Sequence, residues 1–180
     1  PAVQAARIAA FMPIGVTHTA VLLDKHDEPV APSILMFDSR SADTAAALDA
    51  RFDGEIQQRT LNTPTATWTW PQLAWLREHQ TETWQRVARM TFQKDYVRER
   101  LVPGRATDRI DAAGSLLYDP RADEWVAPFC EDLGLTDGSL PEPVDPLTVA
   151  GHIDARAAAA SALPEGPPVV TGTTDPVAEM

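Results

Sequence analysis

The stretch that most constrains this fold is 169–180, Val-Val-Thr-Gly-Thr-Thr-Asp-Pro-Val-Ala-Glu-Met. Pro167 and Pro168 bar a helix upstream; Val169, Val170 and Thr171 are β-branched and read as a short buried strand; Gly172 permits a sharp turn. Asp175 then stands where a helix begins, with Pro176 suited to the first helical position. A strand running into a helix places Asp175 at the carboxyl end of that strand, which is where open α/β sheets bind ligands. The same residue also reads as a plain helix cap.

A second strand region opens the chain. A short helix over 2–10 leads into an apolar run at 11–16, another run follows at 20–23, and Asp24-Lys25-His26-Asp27 supplies turn residues. Residues 33–37 are apolar again after Pro29 and Pro32, so 8–37 reads as two or three strands joined by a hairpin. Ala45, Leu48 and Phe52 fall three and four apart, which predicts an amphipathic helix over 41–51 with Ser41 as its cap. From 69 to 163 such spacings dominate: Leu73 and Leu76, then Trp84, Val87 and Ala88, then Val97 and Leu101, then Trp125, Phe129 and Leu133. These read as helical core stripes. An alanine-rich helix over 155–163 is closed by Pro164, and 168–175 returns to strand. The expectation is a strand region at each end bracketing a helical insertion over about 69–163.

Charge and composition exclude several classes of function. Fifteen basic against twenty-six acidic residues leave a net charge of −11, which opposes a nucleic-acid backbone or an anionic membrane as partner. No apolar run approaches the ~20 residues of a membrane span. Cys130 is the single cysteine, so no intramolecular disulfide can form, and with no signal sequence the expected compartment is the reducing cytoplasm. Nine glycines are spread singly, so neither a Walker loop nor a dinucleotide fingerprint is present. His18, His26, His79 and His152 have no metal-like spacing, no metal site is expected, and no Gly-x-Ser-x-Gly elbow exists. A length of 180 residues suits one domain, and the start on Pro1 and stop at Met180 lead us to expect a chain incomplete at both ends.

What remains is a set of polar residues at strand ends. Thr17, His18 and Thr19 lie between two apolar runs, Asp38 and Arg40 follow a third, and Asp175 follows the last. With a net charge of −11, a neutral ligand is easier to reconcile with them than an anionic one. Each has a plain structural role open to it as well: His18 as an edge histidine, Asp38 with Arg40 as a local pair or a cap. Trp68, Trp70, Trp75, Trp84 and Trp125 could stack on a sugar, but at helical spacing they read as packing.

In register, these pieces resemble the FGGY carbohydrate kinases, nearest to the xylulokinase-like members. The family's Gly-Gln-Met-His-Gly before an apolar run ending Leu-Leu-Asp stands here as Gly15-Val16-Thr17-His18-Thr19 before Ala20-Val21-Leu22-Leu23-Asp24. Its Trp-Asn-Asp-Gln-Arg is similar to Met36-Phe37-Asp38-Ser39-Arg40, its Leu-Trp-Leu-Arg-Glu-His to Ala74-Trp75-Leu76-Arg77-Glu78-His79, and its Pro-Lys-Asp-Tyr to Gln93-Lys94-Asp95-Tyr96. Ala106-Thr107-Asp108 and Ala112-Ala113-Gly114-Ser115-Leu116-Leu117-Tyr118-Asp119 resemble its Ala-Thr-Asp and Ala-Ser-Gly-Thr-Leu-Leu-Phe-Asp. Gly172-Thr173-Thr174-Asp175 falls where the family has Gly-Gly-Gly-Asp.

The resemblance implies an α/β, ribonuclease-H-like (actin/hexokinase-type) domain with a large helical insertion. Residues 1–180 would form part of the N-terminal sugar-binding domain of an ATP-dependent kinase acting on a ketose such as D-xylulose. By position, Asp175 would be the catalytic base, with Thr17, His18 and Asp38 contacting sugar hydroxyls. The implied cofactors are ATP and Mg2+ in the complete enzyme. The family holds them with an Asp-x-Gly-Thr hairpin and a nucleotide-binding second domain that are not in this chain, so the chain alone is expected to be inactive and to bind neither tightly. A small-molecule sugar is the expected partner, a homodimer is the assembly allowed for, and no nucleic acid or membrane is expected. Beside this stand a ribulokinase-like or polyol kinase of the same family, given Val16, Thr17, Met36 and the Gly-Thr-Thr-Asp ending, and a non-catalytic sugar-binding module. A sugar hydrolase pairing Asp38 with Asp175 ranks last, because the register of matches favours a kinase.

Overall fold

The computed structural model describes residues 8–136 and 138–179. The helix expected over 2–10 falls largely outside the described residues, and Ile8, Ala9 and Ala10 have no regular structure. In chain order come β1 (Ile14–Gly15), β2 (Ala20–Leu23), α1 (Ala42–Phe52), α2 (Glu55–Thr60), α3 (Thr69–His79) and α4 (Thr81–Trp84). They are followed by β3 (Arg89–Phe92), α5 (Gln93–Leu101), β4 (Ala106–Asp108), α6 (Arg109–Gly114), β5 (Tyr118–Asp119), β6 (Glu124–Trp125) and α7 (Ala127–Leu133). After these lie β7 (Glu142–Val144), β8 (Val149–His152), α8 (Ala155–Ser161), β9 (Pro168–Val170), β10 (Thr173–Thr174) and α9 (Asp175–Ala178).

Pairing between distant segments organises the chain. β1 lies parallel to β10, with Ile14 opposite Thr173 and Gly15 opposite Thr174, so two strand regions far apart in sequence share one ribbon. β2 runs antiparallel to β3, from Ala20 opposite Phe92 to Leu23 opposite Arg89. β4 is parallel to β7, β5 antiparallel to β6, and β8 antiparallel to β9. Gly172 has φ 87°, and a Cβ there would overlap the carbonyl oxygen of Pro13, so glycine is what lets the chain close on β1.

Several expectations change here. Residues 33–37 form no strand; Leu35 and Phe37 are exposed, and the Gln72 side-chain amide, rather than a β ladder, donates to the Leu35 carbonyl. The partner of β2 is β3, inside the span read as helical. Strands β3 to β8 interleave with α3 to α8, so 69–163 is a mixed segment rather than a helical insertion. The spacing of Trp84, Val87 and Ala88 misled because the chain turns after α4: Arg86 N–H donates to the Thr83 carbonyl and Val87 N–H to that of Trp84. Such turns reproduce a three-residue spacing without continuing a helix. Ser41 does stand before α1, but its hydroxyl donates to the Ala66 carbonyl and caps nothing.

The helical stripes of α1, α3 and α7 build the core. The rings of Phe52, Trp70 and Phe129 meet with centroids 4.8 to 5.3 Å apart, joining α1, α3 and α7. Leu48, Leu73, Leu76 and Leu133 surround them, and Trp68, Trp75, Trp84 and Trp125 pack against the same cluster. A smaller core of Val102, Ile153, Ala157 and Val169 lies between α5 and the β8–β9 pair with α8. No helix among the described residues is long and apolar enough to cross a membrane.

Candidate active site

Because β1 and β10 are parallel, their carboxyl ends meet on one side of the ribbon. The chain leaves β1 through Val16 to Thr17 and leaves β10 at Asp175, and there Thr17 Oγ1 donates to Asp175 Oδ1 at 3.2 Å. Asp175 is the first residue of α9 rather than its cap; Thr174 holds the cap position and no side-chain cap bond forms. Asp175 thus faces Thr17 and a concavity of about 420 Å³ bordered by Ile14, Gly15, Val16, Gln93 and Val97.

Between β1 and β2 the chain turns, with Thr19 N–H donating to the Val16 carbonyl at 3.3 Å, and His18 takes φ 40°, in the left-handed region. Two bonds hold it. Its N–H donates to Asp111 Oδ1 at 2.6 Å, and its carbonyl accepts from Thr69 Oγ1 at 2.7 Å. His18 is 3 % exposed, and its ring lies 5.0 Å from the Trp68 ring and packs on Gly114 so closely that a Cβ there would come within 2.7 Å of it. Burial lowers the His18 pKa from 6.5 to about 4, so the imidazole is neutral at pH 7 and offers one donor and one acceptor.

Asp38 is not joined to this group by any bond among the described residues. Arg40 takes both its oxygens, Nε at 2.9 Å and Nη2 at 2.7 Å, and lays its guanidinium 5.0 Å from the Trp75 ring centroid. Those bonds from Arg40 lower the Asp38 pKa.

Beneath β1 lies a group of charges to which the residue pattern assigns no role. Lys94 is wholly buried, with Nζ 2.9 Å from Asp95 Oδ2, 2.8 Å from Asp108 Oδ2 and 3.3 Å from Asp111 Oδ2. Arg98 adds a second buried cation, Nε 3.6 Å from Asp95 Oδ1. Asp108 caps α6 through the Ile110 and Asp111 N–H groups and accepts from Thr173 Oγ1 at 3.3 Å. Burial raises Asp111 to about 7 against the opposing pull of Lys94, and burial raises Asp95 as well. For Lys94, burial pulls the pKa down, but the three carboxylates outweigh it and the pKa is raised. In sequence these residues look like solvated charges on short helices. The available signal was that Lys94-Asp95 and Asp108 fall within segments similar to the family's Pro-Lys-Asp-Tyr and Ala-Thr-Asp.

Residues 3–180 match the N-terminal domain of the FGGY family of carbohydrate kinases. The chain belongs to the FGGY family. The FGGY chain is 30% identical to the xylulose kinase of Bacillus subtilis (strain 168) over 173 residues, which cover 96% of this chain and 35% of that protein. It is 35% identical to the xylulose kinase of Streptomyces rubiginosus over 153 residues, covering 83% of this chain and 32% of that one. Among solved structures, xylulose kinase from Rhodospirillum rubrum matches with a TM-score of 0.90 at 28% identity, over 96% of this chain and 36% of its own. Glycerol kinase from Plasmodium falciparum with ADP, at 18% identity and a TM-score of 0.80 over 94% and 35%, shares the fold. The fold is therefore the mixed α/β, actin/hexokinase-like one that the resemblance implied. The FGGY chain spans about a third of the length of the curated relatives it matches.

Proposed function

We propose that the FGGY chain is the sugar-side part of an ATP-dependent carbohydrate kinase that phosphorylates a ketose such as D-xylulose, with Asp175 as general base. The observation that carries this reading is the Thr17–Asp175 pair at the joint carboxyl end of two parallel strands, beside an open concavity. That is where α/β sheets place ligands. Phosphoryl transfer to an alcohol asks this side of the reaction for a carboxylate that accepts the hydroxyl proton as the oxygen bonds to phosphorus, and for groups that hold the neighbouring hydroxyls. Asp175 supplies the carboxylate, oriented by Thr17. Thr17 and neutral His18 are the hydroxyl partners, and Asp38 is the third and weakest, since Arg40 already engages both its oxygens. Xylulose kinases among the relatives support a ketose as acceptor.

We read no Mg-ATP site in the described residues. Among the described residues no group of three His, Cys, Asp or Glu could hold a metal ion, and the glycines are spread singly. In this reading, ATP and Mg2+ are held by other parts of a full-length cytoplasmic protein. Asp175→Asn in that full-length protein tests the assignment. Asn keeps the shape and the bond from Thr17 but cannot take a proton, so turnover falls at least about a hundredfold while the melting temperature stays within a few degrees and sugar affinity changes little. Turnover within about fivefold of wild type, on folded protein, returns Asp175 to a structural role.

A further inference from the structure

Asp175 and the His18 turn reach the site from different strands, and one buried side chain contacts the supports of both. Asp111 Oδ1 accepts the His18 N–H at 2.6 Å, and Asp108 Oδ1 accepts from Thr173, two residues before Asp175, at 3.3 Å. Lys94 bridges those carboxylates, its Nζ 2.8 Å from Asp108 and 3.3 Å from Asp111. It lies directly under β1, where a Cβ on Gly15 would come 3.1 Å from Lys94 Cβ. Resting on the kinase reading above, we propose that Lys94, Asp108 and Asp111 form a positioning network with two separate outputs: Asp111 fixes the His18 turn that binds sugar, and Asp108 fixes Asp175 through Thr173.

Three observations support a positioning role over plain stabilisation. Buried ion groups are seldom more stabilising than apolar packing of the same volume. A histidine at φ 40° persists only where its surroundings over-determine it, and the bond from Asp111 is one of the two that hold it. The group is also unbalanced, with Asp95, Asp108 and Asp111 facing Lys94 and Arg98, an arrangement in keeping with the raised pKa of Asp111. The two outputs have different kinetic consequences. His18 holds a hydroxyl in ground state and transition state alike, so disturbing it acts on KM; Asp175 acts in the chemical step, so displacing it acts on kcat.

Steady-state kinetics of the full-length protein with D-xylulose test this. Asp111→Ala raises the sugar KM about three- to tenfold with kcat within about twofold, and Asp111→Asn, which keeps an acceptor for the His18 N–H, restores KM. Thr173→Val lowers kcat about three- to tenfold with KM within about twofold, and Thr173→Ser restores kcat. Changes in KM and kcat together, or no rescue by Asn and Ser, overturn the proposal in favour of a merely structural cluster. If Asp111→Ala does not fold, the near-isosteric Thr173→Val decides alone, because Asp108 Oδ1 keeps its Ile110 donor. The His18 ring resonance of the unliganded protein gives a readout without turnover: Asp111→Ala displaces it and Asp111→Asn does not. An unmoved resonance in the alanine variant overturns the network whatever the substrate. A displaced resonance in a protein that phosphorylates no sugar supports the network and overturns the kinase reading instead, so the two failures are distinguishable.

Discussion

The Trp70 core and the Lys94 cluster are equally closed to solvent, yet one is made of rings and methyl groups and the other of charges. In the first, Phe52, Trp70 and Phe129 fill the space between α1, α3 and α7 with contacts that tolerate small shifts. In the second, Lys94, Arg98, Asp95, Asp108 and Asp111 hold only while every partner stays in place. A fold that needed stability alone has no reason to build the second kind, since apolar replacement of buried ion groups is often neutral or stabilising by about 1–4 kcal/mol. The cluster sits under β1 and β10, where the candidate site is. Buried charge here marks position, and buried rings mark stability.

The two regions are expected to differ most at Lys94. Lys94→Met removes the cation from three buried carboxylates at once, and breaking even one buried pair costs about 3–5 kcal/mol. The loss is expected at or above the top of that range, read as a fall in the urea midpoint of unfolding. A loss under about 1 kcal/mol would mean that the acids are neutral and need no cation, and the contrast between the regions would disappear.

The two regions also differ in how far the sequence announces them. The rings were legible: Leu73 and Leu76, Phe129 and Leu133, and Ala45, Leu48 and Phe52 all fall at helical spacing and all face the core. The charges were not, because hydropathy patterning assigns Lys94, Asp95, Asp108 and Asp111 to the surface, and what buries them is the long-range pairing of β1 with β10 and β2 with β3. No local period encodes such pairings. The candidate site was legible in part. Asp175 and Thr17 sit at strand ends in the sequence and meet in the structure, whereas the seat of His18 on Gly114 exists only after packing. Residues 33–37 read as a strand because they are apolar, but Phe37 is 85% exposed and no strand pairs with it.

A pH experiment separates the regions next. Burial raises Asp111 from 3.8 to about 7 and lowers His18 from 6.5 to about 4. Between those limits folded Asp111 keeps a proton that the unfolded chain has released, so its contribution is complete below about pH 4 and is lost as pH rises through 7. His18 is the reverse. Its unfolded form is protonated below about 6.5 and its folded form is not, so its contribution is complete above that pH and is lost as pH falls through 4. The groups placed to modulate Asp111 are Lys94 and Asp95 from α5, Asp108 at the head of α6, and the His18 turn. Thermal melts should show Asp111→Asn gaining on wild type as pH rises from about 4 to 7, by several degrees, and His18→Gln gaining as pH falls from about 6.5 to 4. Parallel profiles for all three proteins would remove the electrostatic half of the comparison.

In the ring core the expected effects are smaller and of another kind. Phe129→Leu removes three side-chain carbons and two ring contacts from a closed site, so it should cost about 2–3 kcal/mol of stability, while sugar KM and kcat of the full-length protein should stay within experimental error. A KM that moved with Phe129 would show that the rings also set the site.

The smallest effect is expected where the same chemistry stands in water. Asp38 and Arg40 make a carboxylate–guanidinium contact of 2.7 Å, as short as any in the buried cluster, but their side chains are 27% and 43% exposed. Solvent screens such a pair, and holding two mobile side chains together opposes it, so its net contribution is small. With both oxygens engaged by Arg40, a sugar hydroxyl reaching Asp38 must share an acceptor already in use. Asn at this position keeps one acceptor and loses the charge. Asp38→Asn is therefore expected to leave the melting temperature within about two degrees, kcat unchanged and the sugar KM raised by no more than about threefold. A KM raised tenfold or more would make Asp38 a principal sugar ligand and extend the site to the 33–40 loop. An exposed charge would then matter as much as the buried ones, and burial would no longer separate the charges that set the site from those that do not.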